Sequence, residues 1–145
     1  MNSRDFLPLA ERLADDDSEA AWRTAVSRAY YAAFHVACDV MAALGFDVPK
    51  ADRAHGYLWL RLQNCSNADV IQAGRVLKDL RTHRNRADCE KQHALTQQDA
   101  AKYLIDAKAI VATLDQTLEE EISLQITEAI KNYERDVLKE VTWRA

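Results

Sequence analysis

The chain has 145 residues, 48% of them apolar and 29% charged, with a net charge of −4. That length supports one domain with a substantial core, and the acidic balance excludes nucleic-acid binding by bulk charge, so any such binding needs a local basic patch. Three Gly and two Pro in the whole sequence leave little room for tight turns or strands, and the expected fold is all-α.

The three cysteines, Cys38, Cys65 and Cys89, are far apart and lack metal-ligand spacing, which reads as reduced thiols in a cytoplasm. No apolar run reaches the roughly 18 residues of a membrane span, and no basic leader precedes a short apolar core. A cytoplasmic protein with no membrane contact, no metal and no cofactor is the expectation.

In chain order, Ser3–Ala14 reads as a first helix with Phe6, Leu7, Ala10 and Leu13 on one side, Pro8 being tolerated near its start. Asp15–Glu19 is an acidic turn, and Ser18 or Asp17 would cap the next helix. That helix, Ala21–Leu44, has no Gly or Pro and is apolar around most of its circumference, the mark of a central, buried element. One line of residues breaks the pattern. Thr24, Ser27, Arg28, Tyr31, His35 and Asp39 recur at spacings of three or four and share one face. Buried, each of these polar groups would need a partner.

Gly45 ends the central helix, and Phe46–Ala54 is a loop. His55–Gln63 reads as a short helix, Ser66 or Asn67 as the next cap, and Ala68–Glu90 as a second long helix. The inner seam of that helix runs Val70, Ala73, Leu77, Leu80 and continues to Arg84, Ala87 and Asp88, which turns Arg84 inward. Thr96 to Asp99 resembles a capping box with Asp for Glu. From there no residue breaks the pattern up to Trp143, a helix on the order of 70 Å long against about 36 Å for the central one. It either breaks near Glu119–Ser123 or projects, and projection with self-association is the expectation.

Arg75–Lys91 holds Arg75, Lys78, Arg81, Arg84, Arg86 and Lys91 against Asp79, Asp88 and Glu90, a local basic surplus in an acidic protein. The plain reading is an Arg84–Asp88 ion pair one turn apart with solvated neighbours. The alternative is an anion site in which guanidinium forks grip phosphate.

Four segments together, Phe6–Ala14 (FLPLAERLA), Ser27–His35 (SRAYYAAFH), His55 and Leu80–Cys89 (LRTHRNRADC), resemble the prokaryotic HEPN domain over residues 3 to 118. The resemblance implies an up-and-down bundle of four main helices plus a short extra one at 1–118. Residues 119–145 lie outside the resemblance and are expected to form a helical extension for self-association or partner binding. The resemblance further implies a homodimer and a role on RNA, often as a metal-independent ribonuclease of a toxin–antitoxin or defence system. The alternative is a non-catalytic module: an antitoxin, an accessory subunit, or a nucleotide-binding partner of a nucleotidyltransferase.

In active relatives an Arg, a polar neighbour and a His four to six residues on form the site. Arg84-Asn85 matches the first half; Cys89, Glu90 and Lys91 stand where the His would fall. A frame from Arg86 reaches His93, but Ala87 follows that arginine. The catalytic candidates are Arg84, Asn85, His93 and His35. Arg28, Arg81, Arg86, Tyr31 and Ser27 are candidates for phosphate or RNA binding, with Asp88 orienting Arg84. His83, between charged residues, reads as a surface residue, and Tyr30, Trp22 and Trp59 as packing. RNA cleavage through its own 2′-hydroxyl needs a base, an acid and positive charge for the phosphorane, which His and Arg supply without a metal.

Overall fold

A computed structural model describes residues 1–144, which are helical apart from short connections. After a 3₁₀ turn at Ser3–Asp5 come α1 (Phe6–Ala14), α2 (Glu19–Ala43), α3 (Arg53–Leu62), α4 (Ala68–Cys89), α5 (Gln97–Gln116) and α6 (Glu120–Tyr133). An all-helical bundle is therefore the architecture. Local chemistry sets the ends of these helices. The Ser18 hydroxyl accepts the Ala21 amide at 3.1 Å to start α2, and Asn67 accepts the amides of Asp69 and Val70 to start α4. Thr96 and Asp99 exchange side-chain and backbone hydrogen bonds at 3.0 and 3.1 Å ahead of α5, the reciprocal arrangement of a capping box. At the end of α2, Gly45 takes φ 102°. Its amide reaches the Ala42 carbonyl while Phe46 reaches Met41, a Schellman closure that a Cβ would strain.

The chain divides into two compact units. Unit 1 comprises 1–36 with 76–111, and unit 2 comprises 37–75 with 112–145. The core of unit 1 is built around α2. Ala25, Val26, Ala29, Tyr30, Ala32 and Ala33 are buried there with Ala10, Leu77, Leu80, Ala100, Ala107 and Ile110. Alanines on α2 keep the helix slim, so neighbouring helices pack closely at native density. In unit 2 the core holds Met41, Phe46, Leu58, Leu62, Leu114, Ile126 and Ile130. Gly74 of α4 lies so near the end of α3 that a Cβ there would stand 2.9 Å from the Leu62 Cβ.

The expectation of one unbroken, projecting helix from Thr96 to Trp143 is corrected. α5 stops at Gln116 and α6 starts at Glu120. The Thr117 hydroxyl donates to the Leu114 carbonyl at 2.6 Å, competing with the helical ladder. Glu119 then turns extended (φ −62°, ψ 137°), and Glu120 and Glu121 favour the positive end of a new helix. After α6, a π turn at Glu134–Leu138 and a left-handed Lys139 (φ 57°) reverse the chain. Thr142 and Arg144 then bond Asp47 and Gly45 through the backbone.

The anchor of this strap is polar and buried. Glu134 is 0% exposed and Arg61 of α3 is 2% exposed. Arg61 Nε donates to Glu134 at 2.7 Å, the Thr142 amide and hydroxyl donate to the same carboxylate, and Tyr57 meets the Thr142 hydroxyl at 2.6 Å. Burial pushes the Glu134 carboxyl up, but the Thr142 hydroxyl, the Thr142 amide and Arg61 together hold it below its ordinary value. Glu134→Ala leaves Arg61 buried without a counter-ion and is expected to cost about 3–5 kcal/mol in urea denaturation. Arg61→Met combined with Glu134→Leu should recover most of that loss. The depressed carboxyl contributes its full stabilisation above an unfolded pKa of about 4.3 and loses it as pH falls through the lower folded value. The double variant is therefore expected to lose less stability than the wild type below about pH 4.

Candidate functional site

Within unit 1 the polar line of α2 meets the C-terminal half of α4. Only Ser27 of that line is buried, at 4% exposure. Arg28, Tyr31 and His35 are half-buried, and Thr24 and Asp39 are exposed. The line is thus a surface seam rather than a set of groups sealed in the core, and water lowers the cost of its charges.

Arg84 projects from α4 into this seam, as its place on the Leu77–Leu80 face requires. Its Nη2 donates to the Tyr31 hydroxyl at 2.5 Å, its Nη1 to the Asn85 side chain at 2.5 Å, and its Nε lies 3.2 Å from Asp88 as an ion pair. The Ser27 hydroxyl donates to Asp88 at 3.1 Å and accepts from Arg28 Nη2 at 3.1 Å. Both guanidinium groups stand near one ring, Arg28 at 5.1 Å and Arg84 at 5.0 Å from the Tyr31 centroid, a spacing at which cation–π attraction operates. Arg28 also stands 5.4 Å from the Phe6 ring of α1. The His35 ring stacks on Phe6, with centroids 6.0 Å apart, and on Tyr31, with centroids 5.9 Å apart. Two guanidinium groups against one carboxylate leave the cluster with a positive surplus.

The structure thus gathers Ser27, Arg28, Tyr31, His35, Arg84, Asn85 and Asp88. It places the other sequence candidates elsewhere on unit 1. Arg86 is exposed and pairs with Glu90 at 3.9 Å. Arg81 is half-buried one turn before Arg84 and Asn85. His93 is exposed in the connection after α4. His83 stacks on Tyr103 of α5 at 4.1 Å; burial, then the Arg86 charge, holds its pKa below the ordinary histidine value. Among the described residues no group of three His, Cys, Asp or Glu side chains is placed to hold a metal.

Two contributors escaped the sequence reading. Phe6 reaches the site across a tertiary contact from α1, for which no local signal exists. Arg23 had one: it precedes Ser27 by four residues. Its guanidinium donates to the carbonyls of Arg86, Ala87, Glu90, Lys91 and His93, and Glu19, 3.8 Å from it, accepts the Leu95 amide. A cation at these orphan carbonyls caps the end of α4 and suits its negative pole. Arg23→Ala is expected to speed amide hydrogen exchange over 88–95 at least tenfold, with exchange at 57–62 unchanged. Equal acceleration in both stretches would mean global destabilisation instead.

No curated protein and no solved structure matches the chain. A family model for the HEPN domain matches residues 2–120, a span that contains α1 to α5 and every residue of the cluster. With more than half of its length matched, the chain belongs to the HEPN-domain family.

Proposed function

We propose that this HEPN domain acts on RNA through the face formed by Arg28, Tyr31, His35 and Arg84, as a metal-independent ribonuclease. At the family level a HEPN domain points to an RNA-related or nucleotide-binding role. The observation that supports the RNA reading here is the Tyr31 ring, flanked by two guanidinium groups and stacked on His35. Positive charge beside half-exposed aromatic rings suits a phosphate with an unstacked base next to it.

His35 is the histidine that stacks on the Tyr31 ring approached by both arginines, and it takes the role that His93 would otherwise hold. As base it accepts the proton of a 2′-hydroxyl. The 2′-oxygen bonds to phosphorus, the bond from phosphorus to the 5′-oxygen breaks, and that oxygen takes up a proton. The products are a 2′,3′-cyclic phosphate and a 5′-hydroxyl. Positive charge at this face, from Arg28 with Arg84 beside the same Tyr31 ring, favours the added charge on the phosphorane. HEPN domains often dimerise, and a homodimer would place two such faces in one assembly. A toxin–antitoxin or defence setting is the biological context that this reading favours.

One observation favours a second reading. The Arg84 charge is paired with Asp88, and its Nη1 and Nη2 donate to Asn85 and Tyr31, which suits a face that binds RNA or a nucleotide without cutting it. An antitoxin, or an accessory subunit beside a nucleotidyltransferase, fits that description.

Overexpression in a bacterial host separates the two. Under the nuclease reading the wild type arrests growth and fragments total RNA into pieces with cyclic phosphate ends. Arg84→Ala and His35→Ala each lower cleavage at least a hundredfold. Intact RNA in cells holding abundant, folded wild-type protein would overturn the nuclease and leave the binding module.

A further inference from the structure

The two arginines of the cluster are in different chemical situations. Arg84 already faces a carboxylate: its Nε stands 3.2 Å from Asp88 as an ion pair, without a hydrogen bond, while Nη1 donates to Asn85 and Nη2 to Tyr31. A phosphate there would compete with Asp88 for the same charge. Arg28 donates from Nη2 to Ser27. Among the described residues its Nε and Nη1 have no protein partner, and neither atom is buried without one.

Arg28 is nonetheless held in place. Its guanidinium carbon stands 5.4 Å from the Phe6 ring and 5.1 Å from the Tyr31 ring. The Ser27 hydroxyl, itself committed to Asp88 at 3.1 Å, fixes one edge of the fork. A planar cation steadied by two rings and one hydrogen bond, with donors to spare, is already organised for an anion.

We propose that Arg28 is the phosphate-contacting residue of this face and that Arg84 is a positioning residue, acting through Tyr31 and the Asp88–Ser27 pair. Phe6 of α1 supports Arg28 and extends the site beyond α2 and α4. The ligand class is a single-stranded RNA phosphodiester. This assignment rests on the reading that the face holds RNA.

The test uses the full chain and a labelled single-stranded oligoribonucleotide of mixed sequence, 2′-O-methylated so that it cannot be cut. Affinity is measured across a salt series. Each phosphate contact to a single strand contributes about 0.7 to the slope of log K against log salt. Arg28→Ala is expected to weaken binding about tenfold and to lower that slope by about 0.7. Arg28→Lys keeps the slope and loses affinity, because one charge remains but the fork is gone. Phe6→Leu weakens binding with the slope unchanged.

Arg84→Gln weakens binding with the slope unchanged, as a positioning residue should. Tyr31→Phe, which removes only the hydroxyl receiving Arg84, does the same and supplies the measurement if Arg84→Gln does not fold. An unchanged slope in Arg28→Ala, or a lowered slope in Arg84→Gln, overturns this assignment while leaving the RNA reading in place. A wild-type protein whose binding is absent, or indifferent to salt, overturns both.

Discussion

The arrangement of unit 1 depends on a ladder of polar contacts from α2 to the last turns of α4. Three α2 residues one turn apart form its rungs: Arg23 on the carbonyls at the end of α4, Ser27 on Asp88, and Tyr31 beneath Arg84. Apolar packing brings the two helices together, because burial is non-directional and rewards area. The ladder adds direction. A slide of one turn would strand Asp88 away from Ser27 and leave the carbonyls after Arg86 without their donor. Buried or half-buried polar groups penalise such errors more than they reward success, so the ladder selects a register.

The same ladder explains why charge collects where it does. Arg84 is drawn inward by the Leu77–Leu80 seam and meets a tyrosine rather than an aliphatic residue. Arg28 is one residue past Ser27, so it leaves α2 beside the seam rather than within it. That step of one position, about 100° around α2, takes Arg28 away from Asp88, whereas Arg84 on α4 stands 3.2 Å from that carboxylate. Both still lie against the same aromatic ring.

Much of the fold could be read from residue order, because helix ends are set locally. Gly45, Ser18, Asn67 and the Thr96–Asp99 pair act through neighbours at most a few positions away. The break after α5 was legible only as one of two alternatives, the less favoured one. Thr117 and the glutamates after it tolerate a helix as well as they tolerate a turn, and the packing of α6 with α3 in unit 2 decides between them. The site divides in the same way. Arg84, Asp88, Ser27, Tyr31 and His35 follow from periodicity on two helices. The Phe6 contact follows only from where α1 comes to rest, and the separate settings of His93 and Arg86 follow from how α4 ends. The five-carbonyl grip of Arg23 was visible only as spacing; its purpose needed coordinates.

The buried pair of Arg61 and Glu134 gives the tail a meaning beyond its length. The matched family span ends at residue 120, which invites the view that the remaining residues are an appendage. Yet the tail carries the counter-charge for a guanidinium that α3 keeps in the interior of unit 2. Shortening this protein to its family boundary would therefore change its internal ionic composition. The boundary drawn by sequence kinship and the boundary drawn by electroneutrality fall at different places in the chain.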